Sequence, residues 1–182
     1  MILKWNDIVK KEGSISKAYT SQKKQKYKKV SHGFYVEDNY YTSEVEQIFA
    51  RYPRAVLTMQ SAFDYYNMSD YIPEKYHIVT PYNAHTIDNP KVIQTYMDEK
   101  LMAIGKETVY TKYGYMNIFD KERMLIELFR LKSKLPHSYF LEVVSSYRTA
   151  RSSGLISMKT VSEYSKHFKR GEKLLNEIQE MI

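Results

Sequence analysis

The chain has 182 residues, 43% of them apolar and 14% aromatic, enough for one ordinary domain or a small one joined to a medium one. It has no cysteine, which excludes disulfide scaffolds, thiolate metal sites and cysteine nucleophiles. The net charge of +7 is localised: residues 1–30 hold nine lysines against Asp7 and Glu12, while the remainder balances at 19 bases and 19 acids.

Such a concentration of charge is the footprint of a polyanionic partner met by one end of the molecule. The opening MILKWNDIVKKEG lacks the long apolar core of a signal peptide. No apolar run approaches the roughly 20 residues that cross a bilayer. The expectation is a soluble, cytoplasmic protein without a membrane partner.

Taken in order, Ile2, Trp5, Ile8 and Val9 predict a short amphipathic helix over Met1 to Lys11, ended near Gly13. Ser14 and Ser16 are candidate N-caps for a second helix through Gln25. Tyr27 to Asp38 reads as two strands around His32-Gly33, where glycine supplies the positive φ of a tight turn. Lysines 17, 23, 24, 26, 28 and 29 crowd this stretch, and Tyr27, Val30, Phe34 and Tyr35 distinguish it from a solvated tail. A basic helix running into a hairpin is the pattern of a winged helix-turn-helix, here abbreviated because only about 25 residues precede the hairpin.

Ser43 opens a helix, SEVEQIFARY, that Pro53 stops. Ala55-Val56-Leu57 reads as a buried strand, and Thr58 caps a helix with Met59, Ala62, Phe63 and Tyr66 on its apolar face. Strands are expected at Tyr76 to Thr80 and Lys91 to Tyr96, with a loop or helical turn between. TVYTK and YMNIF flank Tyr113-Gly114 as a second hairpin. Asp120 then caps a helix whose stripe is Met124, Leu125, Leu128 and Phe129, with Phe119 and Met124 as a staple. Three helices follow: Ser138 to Arg151, Lys159 to Lys169, and one after Gly171. The fold expected is α+β: a winged helix-turn-helix-like module over 1–42, then a mixed domain over 43–182 with about five strands, ending in about three helices.

Chemistry is sparse. The five histidines have no metal-ligand spacing, and no dinucleotide, Walker or nucleophile-elbow motif occurs. Asp120 with Glu122 could suggest a metal-dependent nuclease, but both suit a helix start. No cofactor, metal or catalytic residue is expected. The candidate DNA-binding residues are Lys10, Lys11, Lys17, Thr20, Ser21, Lys23, Lys24, Lys26, Lys28, Lys29 and His32. Arg51, Arg54, Arg148 and Arg151 are secondary candidates that read equally well as solvated helix faces.

Three stretches carry a family resemblance: GFYV (33–36), RYPRAVLTMQSAFDYYNMSDYIPEKYHIVTP (51–81) and VYTKYGYMNIFDKERMLIELFR (109–130). In this order they resemble the AbiEi family of bacterial antitoxins, with Asp120, Glu122 and Arg123 in its Asp-x-Glu-Arg position. The likeness spans roughly residues 30 to 165. It implies an antitoxin of a type IV toxin–antitoxin, abortive-infection system in phage defence. Such a protein is a transcriptional repressor that binds repeated operator sites in its own promoter through a winged helix-turn-helix. It opposes a nucleotidyltransferase-like toxin, generally without a stable complex. The alternative is an interaction protein acting through residues 43–182 with weak or lost DNA binding.

Overall fold

A computed structural model describes residues 1–111 and 114–182. The chain is α+β, with nine α-helices and two sheets among the described residues. It divides into two compact units, one of residues 1–53 with 108–116 and one of 54–107 with 117–182.

The first unit opens with β1 (Leu3–Lys4), α1 (Trp5–Glu12), α2 (Ile15–Lys23), β2 (Tyr27–Ser31) and β3 (Phe34–Glu37). The first helix starts at Trp5 rather than Met1 because Leu3 and Lys4 pair with Tyr35 and Phe34 of β3. The sheet order is β1-β3-β2, antiparallel throughout. Gly13 ends α1 at φ +83, and the Ser14 hydroxyl accepts from Lys17 N at 3.2 Å to start α2. Ile8, Ala18 and Tyr27 form the centre, with Leu3, Trp5, Val9 and Tyr35 packed round it. The hairpin falls where its turn chemistry put it, with Gly33 at φ +78. Helix α3 (Glu44–Arg51), capped by Ser43, belongs to this unit. The expected division at residue 42 places it in the larger domain instead.

The second unit contains β4 (Val56–Leu57), α4 (Met59–Tyr65), β5 (Tyr76–Pro81), β6 (Val92–Met97) and α5 (Glu99–Ala103). There follow β7 (Lys106–Thr111) and β8 (Gly114–Phe119), whose residues 108–116 count with the first unit, and then, in the second, α6 (Lys121–Arg130), α7 (His137–Ser152), α8 (Met158–Ser165) and α9 (Gly171–Met181). The five strands are ordered β6-β5-β4-β8-β7. β4 runs antiparallel to β5 and parallel to β8, while β5 and β6 run parallel. Thr58 occupies the cap position of α4 but bonds elsewhere, its hydroxyl lying 3.7 Å from Met124 Sδ. Tyr113 of the expected Tyr113-Gly114 turn lies outside the described residues.

Helix α6 is the centre of this unit, packed against α4, α8 and α9. Asp120 Oδ1 accepts from Arg123 N at 2.7 Å, and the stripe Met124, Leu125, Leu128 and Phe129 is buried, as are both staple residues. Arg123 is also wholly buried. Its guanidinium donates to Glu127 Oε1 at 2.8 and 3.0 Å and to the carbonyls of Leu101 and Ile104 at 2.6 and 2.9 Å. The rings of Phe119 and Phe168 lie 4.3 and 4.6 Å from it. A buried charge persists only when so fully partnered.

Candidate nucleic-acid interface

The expected DNA-binding residues all lie in the first unit, on α1, α2, the turn that follows it (Lys24 and Lys26) and the β2–β3 hairpin. Ala18 fixes the orientation of α2, being wholly buried against Ile8 and Tyr27. At 3.6 residues per turn, Ser16, Lys17, Tyr19, Thr20, Lys23 and Lys24 then form the opposite arc, and all six are exposed. Ser16 and Tyr19 were not among the expected contacts. Helical periodicity counted from the Ser14 cap locates them. The Tyr19 ring packs tilted against Trp5 with centroids 4.7 Å apart, so this side chain is braced from the core.

Ion pairing separates the lysines into two groups. Lys11 pairs with Glu37, Lys26 with Glu12 at 2.6 Å, and Lys28 with Asp38 at 2.5 Å. Among the described residues, no acidic side chain lies within ion-pair distance of Lys10, Lys17, Lys23, Lys24 or Lys29. Those five carry uncompensated charge. Lys10 sits in the last turn of α1, where a cation also suits the helix dipole.

Glu12 joins three elements. Its carboxylate accepts from Ser21 Oγ at 2.8 Å, Lys26 Nζ at 2.6 Å and Tyr27 OH at 2.6 Å. Lys26 first, then the two hydroxyls, hold its carboxyl down to about 2. The Tyr27 phenol is pushed up to about 12, by burial first and by Glu12 next. Ser21 is therefore committed inside the fold, and Thr20 donates its hydroxyl to Ser16 O at 3.0 Å. Neither hydroxyl proton is free for a phosphate oxygen. His32 is exposed beside Gly33 at the hairpin turn.

The secondary arginines divide between the units. Arg51 ends α3 in the first, its guanidinium 5.4 Å from the Tyr52 ring. Arg54, Arg148 and Arg151 belong to the second. Arg54 Nη1 is 3.7 Å from Glu99, Arg148 Nε donates to Met181 O at 2.7 Å, and Arg151 is exposed on α7.

The acids that could suggest a nuclease are engaged in holding helices. Asp120 accepts from Arg123 N and, at 2.9 Å, from Tyr164 OH, while Glu122 accepts from Ser157 N at 2.8 Å. No cluster of three or more His, Asp or Glu side chains able to hold a metal occurs among the described residues. Comparison of the chain with protein-family models and with curated proteins returns no match.

Proposed function

We propose that this chain is a double-stranded-DNA-binding antitoxin that represses its own operon, with residues 1–42 serving as an abbreviated winged helix-turn-helix. The observation that carries the DNA-binding half is the set of five lysines without acidic partners. Three of them, Lys17, Lys23 and the C-capping Lys24, lie along the outer arc of α2 and its end. Support also comes from the order strand, helix, helix, hairpin with the sheet arranged β1-β3-β2. In this reading α2 enters the major groove and the hairpin lies along the phosphates, so Lys29 and His32 contact the backbone beside it. Sequence readout falls to Ser16, Tyr19 and Thr20, between the flanking lysines.

The antitoxin half rests on the resemblance over residues 30 to 165. It assigns opposition to a nucleotidyltransferase-like toxin, in the cytoplasm, to the remainder of the chain. Mobility-shift titration tests the first half, comparing a duplex from upstream of this protein's own reading frame with a scrambled duplex of equal length. Preferential, salt-sensitive binding of the upstream duplex is expected; equal affinity for the two overturns the autorepressor reading. Co-expression with an adjoining nucleotidyltransferase-like reading frame tests the second half, with restored growth as the expected result.

A further inference from the structure

Strand β6 forms one edge of the five-stranded sheet and pairs only with β5. The register is regular from Tyr76 opposite Val92 to Pro81 opposite Met97. Tyr76 N donates to Lys91 O at 2.7 Å, which sets the phase of the ladder. In a parallel pair alternate residues turn both backbone groups to the same neighbour. The backbones of Ile93, Thr95 and Met97 therefore face β5, and those of Val92, Gln94 and Tyr96 face outward. Val92 N donates to Asn89 O at 3.0 Å. Among the described residues, the backbone N–H and C=O of Gln94 and Tyr96 and the carbonyl of Val92 have no hydrogen-bond partner.

The connection over residues 82–91 lies over one face of this strand pair, held there by the Gln94 side chain. Gln94 Nε2 donates to Thr80 Oγ1 at 2.7 Å and to His85 O at 3.2 Å, and its Oε1 accepts from Ile87 N at 2.7 Å. The outward backbone row stays bare. Native edges are commonly blunted by a charge, a proline or a bulge. VIQTYM (92–97) has none of these, whereas β7 at the opposite edge opens on Lys106 and Glu107. Ile93, Thr95 and Tyr96 are all exposed.

We infer that β6 pairs with β6 of a second copy of this chain, antiparallel about a two-fold axis at Gln94. Charge selects the direction. Lys91 precedes the strand and Asp98 follows it, so parallel pairing in register would set like charges together at both ends. Antiparallel pairing brings Lys91 of each copy to the end that carries the other's Asp98. Centring on Gln94 also uses most of the outward groups. The two Gln94 backbones exchange both bonds and each Tyr96 N–H meets a Val92 carbonyl, about four backbone hydrogen bonds. Val92 then faces Tyr96 across the axis and Ile93 faces Thr95, β-branched and aromatic pairs that favour sheet formation. One strand from each copy buries well under the roughly 1,600 Å2 of a standard interface, so a dissociation constant of about 10–100 micromolar is expected. This pairing concerns the second unit and does not rest on DNA binding.

Sedimentation equilibrium of the full chain, freed of nucleic acid, over about 1–500 micromolar tests the inference. A reversible monomer–dimer equilibrium is expected. Ile93→Lys with Thr95→Lys sets like charges opposite each other and should weaken the dimer at least about tenfold. Ile93→Lys with Thr95→Glu sets opposite charges in the same places and should restore it to within about threefold of the parent chain. Should either double variant fail to fold by circular dichroism, Tyr96→Pro decides. It removes an outward N–H that β5 does not use, and should also weaken the dimer at least about tenfold. A monomer at every concentration, a dimer that a folded double-lysine or Tyr96→Pro variant leaves unchanged, or a folded lysine–glutamate variant as monomeric as the double-lysine one overturns it.

Discussion

Glu12 links α1 to α2 and β2 through Ser21, Lys26 and Tyr27, so its ionisation should be visible in the stability of the first unit. A carboxyl held at about 2 in the folded state, against 4.5 for the ordinary group, contributes stability that is fully present above pH 4.5. That contribution is lost as pH falls toward 2. Tyr27 bounds the other side: a phenol raised from 10 to about 12 contributes stability below pH 10 that is lost as pH rises through 12. Thermal unfolding followed between pH 2 and 6 should show a lower, flatter acid limb for Glu12→Gln. An acid limb as steep as in the parent chain would remove Glu12 from this role. Part of this was legible in the sequence. The lysine excess, the Ser14 cap and the Gly33 turn are local signals. The engagement of Ser21 was not, because its partner is nine residues away on another helix. A hydroxyl that looks available to DNA is instead part of the fold.

Among the elements, α2 and α6 contrast in what a sequence reveals. For α2 the outer arc follows once Ala18 is known to be buried. For α6 the apolar stripe and the Asp120 cap were legible, but no local pattern marks Arg123 and Glu127 as buried. They are buried because Arg123 finds Glu127, two carbonyls and two aromatic rings, most of them brought in from distant segments. Removing one partner strands the other. Glu127→Ala should therefore destabilise the second unit by about 3–5 kcal/mol in chemical denaturation. Gly105 belongs to the same arrangement. It has φ +66, and a Cβ there would lie 2.5 Å from Arg123 Cβ. Gly105→Ala is expected to cost at least about 1–2 kcal/mol from the left-handed backbone alone, with the contact adding to it. A loss below 0.5 kcal/mol, roughly that of a neutral surface change, would contradict the packing. Helix α5 went unread because five residues are too few to show a period. The parallel pairing of β5 and β6 was hidden too: a connection over residues 82–91 is shorter than the usual crossover helix.

Over the whole chain, charge and folding divide the molecule differently. The charge excess stops by residue 30, which bounds the proposed DNA contact. The first compact unit extends to residue 53 and includes residues 108–116, a segment that no local pattern could join to it. Truncation at residue 42 would cut through that unit, so substitution is the better means of separating the two proposed activities. The triple variant Lys17→Ala, Lys23→Ala, Lys24→Ala should lose most repression of its own promoter in a reporter strain while still restoring growth against the toxin. Joint loss of both, in a protein that remains folded, would mean that protection depends on DNA binding.

In the proposed interface, charge without an acidic partner matters rather than total charge. The most direct measurement is the salt dependence of binding to the protein's own upstream DNA for two triple variants of equal net charge. Each lysine–phosphate contact contributes about 0.9 to the slope of log K against log salt. The variant lacking Lys17, Lys23 and Lys24 is predicted to flatten that slope by about 2–3, and the variant lacking the ion-paired Lys11, Lys26 and Lys28 by less than about 1. Equal flattening in the two, or greater flattening in the second, would contradict it.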